Sequence, residues 1–584
     1  MQTGVVHVVL SLERDGVLLT PLSDEGNELP GATTMPIAAL PAEVARREHD
    51  HPRWVWDDTA RWYPALLAAG VRVERCRDLR LCHAILRRSA STASSPLATA
   101  KSGAWEQAAI PATVSDDALF DLSPTPFDPG EVGGPTGASD QPASLPGSVV
   151  EFRLQTEAVA GAGDPGRIGL LLAAESAGAL VAAEMRHAGL PWSASRHNDL
   201  LTAALGPRPS GGGRPAKLAS LLAVVREQFA AADLNPDSPA ELLRALRRAG
   251  FATTSTKTWD LKKLDHPGIP PLIEYKKLAR LLSANGWHWL DTWVSDGRFR
   301  PGYLPGGVVT GRWATSGGGA LQLPKQVRGA VVADHGWKLI VADAAQLEPR
   351  ILTALSGDSR MAAASRGDLY EGIVESGAVA TRDEAKGALL GAMYGATSGE
   401  AGRLVPRLAR AYPDALALVE AAARAGERGE IVSTRLGRSS PPPGADWRSA
   451  QAAAYGADAV DADQRRAVSH SRSWGRFTRN FVVQGTAAEW ALCWIAGLRN
   501  RLWMLADAGP DAGALAGARA LTERPHLVYF LHDEVMVHAP AELADRVATE
   551  IRASATDAGR LLFGHIPVDF PLSVSIVDSY DEAK

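Results

Sequence analysis

The sequence predicts a multidomain chain of mixed α/β and α+β class, and three observations predict it. The chain has 584 residues, of which 46 % are hydrophobic, enough for two to four domains with cores of their own. Its character changes along its length, from short strands and helices, through a stretch poor in large apolar residues, to long helical periodicity. Two apolar runs late in the chain, Trp337–Asp343 and Leu527–Glu534, end in acids and read as strands of a second sheet.

Residues 1–97 read as a small α/β unit. Val5–Leu10 and Gly16–Leu19 have the composition of short strands, and Asp58–Ala69 and Asp78–Arg88 that of helices. Ser89–Gly147 is dense in Ser, Ala, Thr, Pro and Gly and is read as a linker, assigned to 98–148. From about residue 149 the pattern is helical, with apolar spacing over Ile168–Gly189, Ala216–Ala232 and Pro239–Ala249. Ser238-Pro239-Ala240-Glu241 is a helix start, with a capping residue, Pro at N1 and an acid in the first turn. Pro271–Ser283 is a further helix on which Lys276, Lys277 and Arg280 cluster, a pattern that suits a phosphate backbone or a solvated face.

Bulk charge does not announce a nucleic-acid binder. Lys and Arg total 61 against 66 Asp and Glu, a net charge of −5, although a local basic cleft is compatible with an acidic total. Cys76, Cys82 and Cys493 form neither a CxxC pair nor a zinc set, so a reduced, cytoplasmic protein with buried thiols is expected. Met1–Asp15 lacks the basic and apolar regions of a secretion signal. The best membrane candidate, Ile168–Ala183, is broken by Glu175, so no membrane partner is expected.

The chemistry-bearing residues lie in the second half. Burying charge at the end of an apolar strand is costly without compensation. Asp343 ends one such strand; Asp533 and Glu534 lie at the bend expected between Leu527–Leu531 and Val535–Val537. Carboxylates from two strands suit hard divalent ions, and two such ions side by side serve phosphoryl transfer. Each acid alone reads equally as an ordinary strand-end residue. Arg382, Lys386, Leu390 and Tyr394 recur every fourth residue, forming one stripe on a helix about 18 Å long. Cations near the positive N-terminal end, then an apolar residue and a flat ring, suit a nucleotide laid along the helix. Two solvated cations and two core residues are the plain alternative.

In this order the pieces resemble the family A DNA polymerases, the group that includes bacterial DNA polymerase I. Thr310-Gly311-Arg312 with Leu323-Pro324 is similar to the template-primer contact segment, and Asp343 to Arg350 to motif A. Arg382 to Gly395 is similar to motif B, and Leu436-Gly437-Arg438 to a fingers segment. Arg476, Asn480 and Gln484 to Ala488 match the helix that touches primer and template, and His532-Asp533-Glu534 is similar to motif C. The resemblance runs from about residue 150, most specifically from Thr310.

It implies a right-hand core over 149–584, with thumb about 150–300, palm about 301–365 and 480–584, and fingers about 366–479. Asp343 and Asp533 would be metal ligands for two Mg²⁺ ions, with Mn²⁺ able to substitute, and Glu534 and Lys386 would act beside them. Arg382 and Lys386 would grip the phosphates of a deoxynucleoside triphosphate. Tyr394 would pack on the templating pair, with Leu390 and Gln346 nearby, and Glu348 would crowd the sugar 2′ position. Arg312, Gln322, Arg476, Asn480, Gln484 and His532 would hold primer-template DNA. The activity implied is template-directed DNA synthesis by a nucleoid-associated monomer, in repair or gap filling. Four positions depart from the family: Ala344-Ala345 for Tyr-Ser, Leu390 for Phe or Tyr, and Gln322 for Asn. These keep open a catalytically impaired protein that binds primer-template DNA as a scaffold. A single-subunit RNA polymerase, a third reading, is opposed by Glu348. The first unit lies where the family carries a 3′–5′ exonuclease domain of ribonuclease H-like fold. It has no strand-borne Asp-x-Glu pair, so a degenerate domain without proofreading is expected.

Overall fold

The computed structural model describes residues 6–14, 16–107, 145, 147–319, 323–395, 399–456, 459–505 and 520–583. The N-terminal unit is built on five strands: β1 (His7–Glu13), β2 (Gly16–Leu22), β3 (Thr33–Met35), β4 (Arg53–Trp56) and β5 (Cys76–Asp78). Their order is β3-β2-β1-β4-β5; the first three pair antiparallel, and β4 and β5 join in parallel. Val8, Leu10, Val17 and Leu19 bury one face, while Val9, Leu22 and Val55 bury the other. A sheet covered on both sides needs apolar residues at successive positions, so alternation alone marks such strands poorly. The helices are α1 (Leu40–Glu48), α2 (Thr59–Ala68) and α3 (Leu79–Leu86). Asp58 and Asp78 cap the last two, accepting from the amides of Ala60 and Leu81, both at 2.9 Å.

Part of the stretch read as linker is folded onto this unit. Arg87 donates to the carbonyls of Leu97 (2.8 Å), Ala98 and Ala100, and Glu106 lies 3.3 Å from His83 Nε2. Leu97, buried in the core, and Trp105, stacked on His83 at 6.0 Å, complete the attachment; two isolated apolar residues in a Ser-, Ala- and Pro-rich stretch give little periodic signal. Residues 108–144, the centre of that stretch, lie outside the described residues.

The helix Ser148–Ala160 opens the helical part, and α4 (Pro165–Ala188), capped at its N-terminus by Asp164, follows it. Beyond it, Ala216–Gln228, Pro239–Arg248 and Ile269–Asn285 enclose a separate small core of Val225, Leu242, Leu246, Leu261 and Leu272. Ser238 caps Pro239–Arg248 as its sequence predicts, through the Glu241 amide at 3.4 Å. The second sheet contains β6 (Trp337–Ala344), followed by helices α5 (Leu347–Ser356), α6 (Leu369–Glu375), α7 (Arg382–Tyr394), α8 (Pro413–Glu427) and α9 (Asp461–Leu505). Strands β7 (His526–Leu531) and β8 (Glu534–Pro540), helix α10 (Ala544–Phe563) and strand β9 (Leu572–Val577) complete it. The order is β7-β8-β6-β9, antiparallel throughout. Leu339, Ile340, Val341 and Ala342 of β6 are all buried, as a central strand covered on both faces requires.

Helix α9 is the common spine. At 45 residues it is about 68 Å long, and it packs on α4, α8 and α10. Both α4 and α9 are long and apolar enough to cross a membrane, but 72 % and 83 % of their apolar windows are buried within the protein, which marks them as core helices.

A buried polar seam joins the N-terminal unit to this spine. Arg499 of α9 donates to Glu184 of α4 through Nε (2.9 Å) and Nη2 (2.6 Å), and both residues are about 5 % exposed or less. Tyr63 of α2 donates its hydroxyl to the same carboxylate at 2.5 Å. Arg499 also donates to the carbonyls of Glu74 (2.7 Å) and Val73. Arg72 lies 3.5 Å from Glu184, and Arg72 and Arg524 sit 4.8 and 4.2 Å from the Trp503 ring centroid.

Candidate active site

The two apolar runs converge at one edge of the second sheet. Asp343, next to last in β6, lies opposite Glu534 of β8 on one side and Ser573 of β9 on the other. The β7–β8 connection is the pair His532-Asp533, with His532 in the left-handed region at φ 54°. The Ala344 amide donates to the Asp533 carbonyl at 2.8 Å, stitching the turn to the end of β6. The side chains of Asp343 and Asp533 therefore interact: Asp533 is raised to about 6, first by burial and then by the charge of Asp343, with Arg312 opposing.

Glu534, opposite Asp343 in the β6–β8 ladder, shares a face of the sheet with it, and its charge adds to the upward shift of Asp533. It is buried and accepts the Tyr580 hydroxyl at 2.7 Å. Its carboxylate is thus tied to Tyr580 while lying within electrostatic reach of Asp533. Among the described residues no cluster of three or more metal-ligating side chains occurs. Two crowded carboxylates fit a divalent ion whose remaining positions are taken by substrate oxygens and water, the usual manner of Mg²⁺.

A cavity of about 350 Å³ opens beside this edge. Arg312, Gln346, Glu348, Lys386, Leu390, Tyr394, His532 and Asp533 all line it, with Tyr370. Helix α7 supplies the stripe expected of it. Thr381 and Glu384 form a reciprocal capping box at its start, and Gly395 (φ 74°) ends it. Glu348 bridges two neighbours, accepting from the Arg312 guanidinium and from the Tyr394 hydroxyl at 2.6 Å. Burial, and then the Glu348 charge, push the Tyr394 hydroxyl far above the usual phenol range. His532 is held neutral, lowered to about 3 by burial and then by Arg312. Gln346 adopts φ 57°, and its amide oxygen accepts from Arg350 (3.2 Å) and the Leu369 amide (3.0 Å).

Other residues singled out from the sequence lie elsewhere. Arg382, one turn before Lys386, is outside the cavity wall and paired with Asp368 at 2.8 Å. Arg476 lines a larger cleft of about 1180 Å³ with Arg465, Arg472 and Arg479. Asn480 and Gln484 face inward from α9, and among the described residues neither polar atom of the Asn480 side chain has a hydrogen-bond partner. Gln322 lies outside the described residues. Sequence reasoning missed Asp368, Tyr370 and Tyr580. Asp368 was readable only as a helix cap; its ion pair and the placement of both tyrosines are tertiary.

In the N-terminal unit the acids have internal partners. Asp57 accepts from Trp62 Nε1 (2.7 Å), Arg61 Nε (3.1 Å) and the amides of Asp58 and Leu145. Asp58 accepts from Arg80 at 2.9 Å besides capping α2. Asp78 accepts from the Thr59 amide at 2.8 Å besides capping α3.

Residues 216–582 match the family model for DNA polymerase family A. The chain is 26 % identical over 361 residues to the thermostable DNA polymerase I of Thermus thermophilus, covering 56 % of this chain and 38 % of that one. It is 23 % identical over 381 residues to DNA polymerase I of Chloroflexus aurantiacus, covering 60 % and 36 %. The matched segment thus spans little more than a third of these curated relatives. In fold the chain is similar to the POL domain of Pol1 from M. smegmatis, solved in complex with DNA primer-template and dNTP. The TM-score is 0.61 at 17 % identity, over 99 % of this chain and 96 % of that one. With its family match covering more than half its length and the motif residues gathered at one sheet edge, the chain belongs to DNA polymerase family A.

Proposed function

We propose that the protein is a template-directed DNA polymerase that adds deoxynucleotides to a primer 3′-hydroxyl and releases pyrophosphate. The observation that carries this reading is the meeting of Asp343 and Asp533 at one sheet edge, beside a cavity lined by Lys386, Glu348 and Tyr394. Two divalent ions, Mg²⁺ with Mn²⁺ able to substitute, would be held by Asp343 and Asp533 and would supply activation of the attacking oxygen and stabilisation of the leaving one. Lys386 offsets charge on the triphosphate, and Tyr394 presents its ring to the nascent base pair. Glu348, fixed by Arg312 and Tyr394, occupies space at the sugar edge. Asn480, buried on α9, joins the primer-template set by its place in the motif. Arg312, Gln322, Arg476, Gln484 and His532 complete the primer-template contacts. That the M. smegmatis domain was solved with primer-template and dNTP supports these partners.

The mixed five-stranded sheet supports the exonuclease-type, ribonuclease H-like reading of the first unit. The internal partners of Asp57, Asp58 and Asp78 support its being without proofreading activity. A cytoplasmic monomer working in repair or gap filling is part of the same proposal.

The test is primer extension with Mg²⁺. Asp343→Asn and Asp533→Asn should each abolish extension while leaving primer-template binding within a few fold, because only the chemistry loses its metal ligand. Near-normal extension by either variant would overturn the assignment.

A further inference from the structure

Asp368 sits between the aspartate-bearing strand and the helix that lines the cavity. As the N-cap of α6 it accepts from the amides of Tyr370 (2.9 Å) and Glu371 (3.1 Å) through Oδ1. Its other oxygen accepts from Arg382 through Nη2 (2.8 Å) and Nε (3.3 Å). The Arg382 guanidinium also lies 5.2 Å from the Tyr370 ring centroid. The amide of Leu369, next to Asp368, donates to Gln346, three residues beyond Asp343. The carboxylate is therefore anchored to the body of the protein, whereas Arg382 reaches it on a long side chain from the first turn of α7.

We propose that Asp368 is a positioning residue that occupies Arg382 in the nucleotide-free protein and yields it to the incoming triphosphate. The proposal rests on the polymerase reading above. Carboxylate and phosphate present the same oxygen geometry to a guanidinium fork, so one can replace the other. The pair is solvent-accessible, with side chains 44 % and 35 % exposed, and such pairs are weak. A triphosphate carrying several charges out-competes one carboxylate. Asp368 cannot follow Arg382 into the cavity, because its cap bonds hold it at the start of α6.

The test is Asp368→Asn, which keeps an oxygen for the cap and removes the nearer of the two charges facing Arg382, Glu371 remaining at 3.8 Å. KM for deoxynucleotides should fall about two- to fivefold, the strength of an exposed pair, with the change carried by KM rather than kcat. In an Arg382→Ala background the same substitution should leave KM unchanged. An unchanged or raised KM for Asp368→Asn overturns the proposal. So does an equal fall in the Arg382→Ala background, which would report general charge removal. Binding of a fluorescent deoxynucleoside triphosphate to the full chain without primer separates this from the function itself. Absence of extension by the wild-type protein would defeat the polymerase reading. Tighter triphosphate binding by Asp368→Asn, dependent on Arg382, would still uphold the role of Asp368, and unaltered binding would end it.

Discussion

Replacing Glu184 by Gln should destabilise the whole molecule rather than its N-terminal unit alone. Glu184 receives Arg499 through two bonds and the Tyr63 hydroxyl through a third, with Arg72 at 3.5 Å. All this occurs where Glu184 and Arg499 are 5 % and 4 % exposed. The glutamine retains an acceptor, so one hydrogen bond survives, but two buried guanidinium groups lose their common counter-charge. Removing one partner of a buried ion pair costs about 3–5 kcal/mol. That is a large fraction of the roughly 5–15 kcal/mol that holds a typical domain. The assay is equilibrium unfolding in urea, which adds no ions, followed by circular dichroism and tryptophan fluorescence. The seam draws on α2, α4 and α9, so both signals should shift together. Glu184→Leu combined with Arg499→Met should recover part of the loss, because it removes one of the two unpaired charges while Arg72 remains. A loss below about 1 kcal/mol for Glu184→Gln, or a double variant no better than the single, would refute the reasoning.

Three further outcomes are expected. Lys386→Ala should lower kcat/KM for deoxynucleotides by about two orders of magnitude, since one preorganised contact to developing charge is worth about 3 kcal/mol; steady-state primer extension measures it. Glu348→Ala should admit ribonucleotides, and it should also release Arg312 and the Tyr394 hydroxyl, so competition between ribo- and deoxynucleotides should shift toward the former. Glu489 is raised to about 7, chiefly by burial, against partial compensation from Thr434 and the Leu436 amide. Its folded-state value is above the unfolded one, so the folded protein holds a proton that the unfolded chain has released. Stability from this group is therefore full below about pH 4.5 and falls through pH 7, by about 3 kcal/mol at most. Glu489→Gln should flatten that part of the profile in urea titrations at pH 5 and pH 8.

Much of the architecture was legible because local signals agreed with the tertiary structure. Ser238 caps the helix its sequence announces, and the four-residue stripe on α7 turns Lys386, Leu390 and Tyr394 toward one cavity. The acids at the ends of Trp337–Asp343 and at the β7–β8 bend lie at one sheet edge. What escaped depends on distant partners. Arg382 was read as a phosphate ligand from its helix position; its pairing with Asp368, fourteen residues earlier at the start of α6, was not readable from local pattern. Glu534 was read beside Asp533; that it also accepts the hydroxyl of Tyr580, 46 residues further on, is a tertiary contact that no local pattern announces. The strand β4 was not read from the sequence because Trp54, Val55 and Trp56 are all buried, and burial on both faces removes the alternation that marks a strand.

Both strand ends at the candidate centre pass through backbone that non-glycine residues seldom adopt. Gln346 at φ 57° follows Asp343 by three residues, and His532 at φ 54° immediately precedes Asp533. A side chain in that region carries conformational strain of about 1–2 kcal/mol per residue. The strain is sustained by specific bonds: the Ala344 amide on the Asp533 carbonyl, and Arg350 and the Leu369 amide on Gln346. Glycine at either position would relax the backbone and favour the folded state, yet before Asp533 it would also widen the range of directions in which that carboxylate can point. Asp343 is set by its pairing with β8 and β9, whereas Asp533 rides on a turn whose most relaxed version, with glycine before it, would hold it less well.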